Sequence, residues 1–138
     1  QIGKGKHFIK RGSLTPTRDF NFVFDTVRGF CEVASCDEAV GEEVNIGSDF
    51  EVSIAETVDI IAQVMNASVE TVTDNKRVRP KNSEVQRLYA DTSKAKKLFG
   101  WKPEFGGKDG FRRGLEITAQ WFLNPQNQKQ YKTDGYVI

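Results

Sequence analysis

Two segments centred on arginine carry the residue types that could do chemistry. The first is Leu14-Thr15-Pro16-Thr17-Arg18-Asp19-Phe20-Asn21-Phe22-Val23. The second starts at Arg77-Val78-Arg79-Pro80 and continues through Tyr89-Ala90-Asp91-Thr92-Ser93-Lys94-Ala95 to Leu98-Phe99-Gly100-Trp101-Lys102-Pro103. Each places a permanently charged guanidinium, whose fork of N–H donors matches phosphate oxygens, on a polar stretch stiffened by a proline. Pro16 favours an extended Thr15, so Arg18 is presented by a constrained segment. The chemistry this suits is the grip of a phosphorylated ligand.

Other candidates reduce to structure. Gly107-Lys108-Asp109-Gly110-Phe111-Arg112-Arg113-Gly114 is glycine-rich but follows no apolar strand and opens an amphipathic helix, which argues against a phosphate-cradling loop. His7 has no Cys or His partner at ligand spacing, so no metal site is expected. Cys31 and Cys36 fit neither C-x-x-C nor a disulfide framework and read as reduced packing residues of a cytoplasmic protein. Ser93, Lys94 and Trp101 read as a helix start and a packing anchor, and Arg77 as a solvated neighbour of Arg79 with a phosphate contact as the alternative. A bland reading of Arg18 pairs it with Asp19 or Asp25 as a surface clamp.

The elements that must position the arginines follow from pattern. His7 to Arg11 reads as a short strand and Ser13 to Asn21 as the loop bearing Arg18. Phe22, Val23, Thr26, Val27, Phe30, Val33 and Ala34 recur at helical spacing, predicting a helix from about Phe22 to Cys36 with one apolar face. Glu43 to Gly47 reads as a strand. Ser53-Ile54-Ala55-Glu56 is a capping box opening a helix whose buried stripe is Ile54, Val58, Ile61 and Met65. Val69 to Thr73 is the next strand, and Asp74 to Arg87 is a long polar stretch of the kind that is uncommon without a function. Asp91 caps a helix from Thr92 to Phe99 closed by Gly100; Phe111, Leu115, Thr118, Ala119 and Phe122 mark a last helix ending near Asn124-Pro125. Strands alternating with helices predict an α/β domain, with a few short strands and about four helices spanning residues 1–138. That is too few strands for a complete doubly wound dinucleotide-binding sheet.

Composition bounds the class. The chain has 138 residues, 38% hydrophobic and 28% charged, which fits one ordinary domain. Its 20 Lys and Arg are offset by 19 Asp and Glu for a net charge of +1, leaving no electrostatic footprint for nucleic acid or a membrane surface. No apolar run approaches the roughly 20 residues of a membrane span. Gln1 to Lys6 reads as the end of a preceding helix, so a start inside a longer protein is expected.

These motifs, in this order, resemble the carboxy-terminal substrate-binding part of the extended short-chain dehydrogenase/reductase family, the NAD-dependent nucleotide-sugar epimerases and dehydratases. Arg18 to Asp25 matches R-D-[FWY]-x-[FYH]-V-x-D, and Asn45-Ile46-Gly47 matches a strand ending N-I-G. Arg79-Pro80, Ala90 to Ala95 and Gly100-Trp101-Lys102-Pro103 match the R-P, A-D-x-S-K-A and G-W-x-P segments. Leu14 to Val23, Arg79-Pro80-Lys81-Asn82-Ser83-Glu84-Val85 and the Tyr131-Lys132-Thr133-Asp134 tail are similar to the N-acetylhexosamine nucleotide 4,6-dehydratases of legionaminic type.

The resemblance implies that Arg18 and Arg79 grip the diphosphate of a nucleotide-sugar. It implies that Glu84, with Asn82 the alternative, contacts the ribose, and that Phe8 and Ile9 wall the base. The spacing from Arg79-Pro80 to Ala90-Asp91 is about two residues longer than in most of the family. The family's G-x-x-G-x-x-G loop for NAD and its Tyr-x-x-x-Lys pair have no counterpart: four positions after Tyr89 stands Ser93, after Tyr131 stands Gly135, and Tyr136 is too near the end. The expectation is a nucleotide-sugar-binding domain that is catalytically incomplete alone. It would hold no cofactor itself, NAD being implied for the complete enzyme, and would pair with a missing NAD-binding half or with itself. The alternative is a non-enzymatic, oligomeric interaction module derived from such a domain.

Overall fold

The structure is a computed structural model and describes residues 2–5, 8–78, 80 and 83–129. Helix boundaries are set by local chemistry. Helix α2 (Ile54–Val64) opens with the capping box: Ser53 Oγ accepts from the Glu56 amide at 3.1 Å, while the Glu56 carboxylate accepts from the Ser53 amide at 3.0 Å. Helix α3 (Ser93–Phe99) ends on Gly100 at φ 68°, a left-handed stop that glycine takes without steric cost. At its start Asp91 Oδ1 accepts from the Ser93 amide at 3.0 Å, while the Thr92 hydroxyl donates to Asp49. Helix α4 (Gly107–Leu123) begins four residues before Phe111. The one-turn α5 (Pro125–Gln128) places proline where its missing N–H costs nothing.

The strands form two small sheets. In one, β1 (Phe8–Arg11) pairs in parallel with β4 (Glu70–Thr73), Phe8 opposite Glu70 and Arg11 opposite Thr73. In the other, β2 (Thr17–Asp19) lies between antiparallel β3 (Glu51–Ser53) and parallel β5 (Arg87–Leu88), which sets Arg18 opposite both Val52 and Leu88. Arg18 therefore stands on a central strand, not on the expected loop. Three residues are too few to show alternation, and both partners lie far along the chain. The strand expected at Glu43 to Gly47 makes no ladder among the described residues: both sides of β2 are taken, and a strand exists only with a partner.

The main core packs Val52, Ile60 and Phe111 with Phe50, Val64 and Leu115, and Phe20 stacks on Phe111 at 5.8 Å. Ile60 is the buried residue of α2, whereas the expected stripe of Ile54, Val58, Ile61 and Met65 is only half-buried. Periodicity could not choose between the adjacent Ile60 and Ile61 until α4 fixed the facing surface. A second nucleus surrounds Trp101, whose indole N–H donates to the Gly47 carbonyl at 3.1 Å and whose ring lies 4.5 Å from the Arg28 guanidinium carbon. That settles Trp101 as a packing anchor.

Helix α1 (Val23–Ala34) reverses the usual arrangement. Asp25 and Gly29 are its buried residues, while Val23, Phe24, Val27 and Phe30 are more than half exposed, Phe30 at 72%. Gly29 is buried because Ile46 presses on it: a Cβ there would lie 2.4 Å from Ile46 Cδ1. The predicted apolar face exists, but no described residue covers it. No helix among the described residues is long and apolar enough to cross a membrane.

Candidate functional site

Arg18 lies mid-sheet with its side chain 17% exposed. Its Nη1 donates to the Thr17 carbonyl at 2.7 Å and its Nη2 to Glu84 Oε1 at 3.3 Å; the remaining N–H groups have no hydrogen-bond partner among the described residues. The clamp partner is thus Glu84, 66 positions away, and neither Asp19 nor Asp25. A turn delivers Glu84. The Pro80 carbonyl accepts from the Ser83 amide at 2.8 Å and from the Ser83 hydroxyl at 3.0 Å, and the Gln86 carbonyl then accepts from the Thr17 amide at 2.8 Å, starting the β5 pairing.

Both aspartates of the arginine motif are occupied by the protein itself. Asp19 Oδ1 accepts from the amide and hydroxyl of Ser48, and its Oδ2 accepts from the Ala90 amide at 3.4 Å. A Cβ on Gly47 would sit 2.4 Å from Asp19 Oδ2 and 2.7 Å from Ala90 Cβ, so only glycine fits between them. The R-D, N-I-G and A-D segments, separate in sequence, meet at this carboxylate. Asp25, 1% exposed, accepts from the Glu104 and Phe105 amides at 2.9 and 2.8 Å and from Arg28 at 3.0 Å. Sequence reasoning missed both roles. The only signal was that the motif carries two aspartates whose acceptor capacity had to go somewhere.

The flank of the site is a second ion pair. Arg87 donates from Nε and Nη2 to the Glu51 carboxylate at 2.8 to 3.0 Å, with its guanidinium carbon 5.1 Å from the Tyr89 ring centre. Hydrogen bonds from Arg87 and then from the Thr17 hydroxyl hold the Glu51 pKa below the ordinary glutamate value. Arg77 pairs with Asp74 at 3.5 Å.

Arg79 and Asn82 lie outside the described residues, as do His7, Tyr131 and Tyr136. Phe8 and Ile9 sit at the start of β1 in the other sheet, and no strand pairing among the described residues brings them beside Arg18. The glycine run of α4 is filled by packing. A Cβ on Gly110 would lie 2.3 Å from the Phe105 carbonyl carbon and one on Gly114 3.1 Å from the Phe22 ring, so these glycines admit neighbouring residues and form no open cradle. Among the described residues no group of three His, Cys, Asp or Glu side chains is placed to hold a metal ion.

Comparison with known proteins identifies the family. Residues 1–114 match the family model described as GDP-mannose 4,6 dehydratase. A putative UDP-glucose 4-epimerase of Methanocaldococcus jannaschii is 35% identical over 113 residues, 82% of this chain and 33% of that protein. Among solved structures, an epimerase from Methanothermobacter thermautotrophicus superposes with a TM-score of 0.76 at 30% identity, over 93% of this chain and 36% of that one. A dTDP-glucose 4,6-dehydratase from Bacillus anthracis in complex with NAD gives 0.69 at 26% identity, over 89% and 36%. The chain thus spans about a third of the length of these relatives. It belongs to the NAD-dependent nucleotide-sugar epimerase and dehydratase family, the extended short-chain dehydrogenases/reductases.

Proposed function

We propose that this chain is the nucleotide-sugar-binding part of a sugar-nucleotide 4,6-dehydratase or epimerase and supplies the diphosphate grip instead of the reacting groups. The observation that carries this reading is Arg18, held on the central strand with most of its surface covered and N–H groups to spare. Arg79 is the second diphosphate contact, Glu84 or Asn82 the ribose contact, and Phe8 and Ile9 candidates for the base. Two arginines on the diphosphate would spend binding energy remote from the reacting sugar carbon, and so position the ring. Gly110 and Gly114 of α4 are packed against Phe105 and Phe22, so they offer no cradle for the pyrophosphate of NAD. On this reading NAD is held by the part of the relatives outside the matched third, and no turnover is expected from these 138 residues by themselves. The legionaminic-type motifs favour a dehydratase acting on an N-acetylated sugar.

Calorimetry with UDP- and GDP-N-acetylglucosamine tests the reading. Weak binding is expected, lowered about 10- to 100-fold in Arg18→Ala, because a charge-assisted bond is worth roughly 1.5–3 kcal/mol. No heat at millimolar ligand, or equal binding by Arg18→Ala, would refute it.

The bare face of α1 favours a second reading, that the chain is an interaction module whose exposed Val23, Phe24, Val27 and Phe30 pair with another copy. Light scattering should then give a mass that rises with concentration, and Phe30→Glu should abolish the rise. A monodisperse wild-type monomer over a wide concentration range would count against self-association.

A further inference from the structure

We infer that Glu51 is a positioning residue: its carboxylate straps β3 to β5 across β2, on the face opposite Arg18, and so holds the strand that brings Glu84 to the guanidinium. The consequence for binding rests on the reading of Arg18 as a diphosphate contact; the strap itself does not. Residues directly opposite on paired strands share a face, and neighbours along a strand alternate. The register therefore puts Thr17, Asp19, Glu51 and Arg87 on one face of the sheet and Arg18, Val52 and Leu88 on the other. Glu51 and Arg87 flank the central strand, two strand spacings or about 10 Å apart at the backbone. Their side chains meet over Thr17. Arg87 Nε donates to Oε1 at 2.9 Å and Oε2 at 3.0 Å, Nη2 donates to Oε2 at 2.8 Å, and the Thr17 hydroxyl donates to Oε1. One carboxylate thus joins all three strands.

The strap matters because the backbone holds β5 so briefly. That strand is two residues long, and among the described residues its ladder reaches β2 alone, opened by the Thr17 amide donating to the Gln86 carbonyl at 2.8 Å. Glu84 stands two residues ahead of that carbonyl, so its 3.3 Å pairing with Arg18 lasts only while β5 stays docked. The Tyr89 ring, 5.1 Å from the guanidinium carbon of Arg87, narrows the directions in which Arg87 can point. With its side chain 63% exposed, Arg87 adds little to global stability, as exposed ion pairs do, yet bidentate geometry is the case in which such a pair fixes a local position. The signature is therefore local. Without the strap β5 opens more often while the β2–β3 side stays closed.

Amide hydrogen exchange on the 138-residue chain tests this, because two amides report the two sides of β2. Thr17 donates to Gln86 on the β5 side, and Ile54 donates to the Pro16 carbonyl at 3.0 Å on the β3 side. In Arg87→Met, and in Glu51→Gln as an independent variant, the Thr17 amide is expected to exchange about fivefold faster, with Ile54 within about twofold of wild type. Circular dichroism establishes that each variant is folded; if one is not, the other carries the test. Combining Glu51→Arg with Arg87→Glu re-forms the pair in reverse and should return Thr17 toward its wild-type rate. UDP affinity should fall about fivefold in Arg87→Met, although Arg87 lies on the face away from Arg18. An unchanged Thr17 rate in Arg87→Met and Glu51→Gln, equal acceleration of both amides, or a charge exchange that leaves Thr17 as fast as in Arg87→Met overturns the strap. A faster Thr17 amide with unchanged UDP affinity overturns the positioning role. If wild type and Arg18→Ala bind UDP equally, it is the diphosphate-grip reading that falls, and the two amides still judge Glu51 separately.

Discussion

Replacing Asp25 by alanine is expected to lower the folding free energy by about 3–5 kcal/mol, the range found when one partner of a buried charged pair is removed. A fall in the urea midpoint at unchanged slope would register it. The carboxylate is 1% exposed and both of its oxygens are used: Oδ1 by the Glu104 amide and Arg28, Oδ2 by the Phe105 amide. Residues 104 and 105 form the turn into α4, and the Phe105 ring packs 4.4 Å from that of Phe22, just ahead of α1. Asp25 therefore ties the start of α1 to the start of α4. Alanine would leave two amide donors without acceptors, each costing about 1–3 kcal/mol when buried. Against a typical total of about 5–15 kcal/mol, that places the variant near unfolding. Asparagine keeps one acceptor oxygen and should lose roughly half as much. The competing view, that Asp25 matters only as the partner of Arg28, makes Arg28→Ala equally damaging. Arg28 is 34% exposed, so about 1–2 kcal/mol is expected from its lost pairing and ring contact. Equal losses at the two positions would refute the staple.

What the sequence made legible divides along one physical line. Signals closed within a few residues were readable: the Ser53–Glu56 box, the Gly100 stop and the amphipathic α1 all stand where the pattern put them. Whatever needed a distant partner was not. Glu43 to Gly47 has strand composition but makes no ladder among the described residues. The apolar stripe of α1 predicts a face and says nothing about what covers it. Arg18 was identifiable as a candidate because its residue type and Pro16 are local facts, yet its partner Glu84 comes from 66 positions away. Glu84 itself was nameable only through resemblance, because a carboxylate in a polar stretch has no spacing that marks it. The second arginine, Arg79, lies outside the described residues, so the paired grip rests on Arg18.

Asp19→Ala should separate support of the site from the grip itself. It is expected to cost about 2–4 kcal/mol in stability, counted as charge-assisted bonds lost from a half-buried carboxylate, and to remove nucleotide binding as well. Neighbouring residues on a strand point to opposite faces. On β2 that alternation gives Arg18 to Glu84 on one side and Asp19 to Ser48 and Ala90 on the other. The carboxylate thus joins the end of β2, the stretch after Gly47 and the approach to α3 from behind the arginine. Without it, the β2 pairings of Asp19 with Glu51 and of Arg18 with Leu88 still hold these segments to the strand, but the direct hydrogen bonds from Ser48 and Ala90 are lost, and the backing behind Arg18 loosens. Gly47→Ala attacks the same junction without touching a charge, because its methyl would fall 2.4 Å from Asp19 Oδ2. It should therefore reproduce the binding loss. Ser48→Ala removes only a hydroxyl and leaves the backbone amide bond to Asp19, so about 1 kcal/mol and near-normal binding are expected. Chemical denaturation and UDP titration of the three variants decide it. If Asp19→Ala or Gly47→Ala is folded and binds as wild type does, the junction does not position Arg18. If Ser48→Ala loses binding as completely as Asp19→Ala, the hydroxyl rather than the three-way junction is the critical contact.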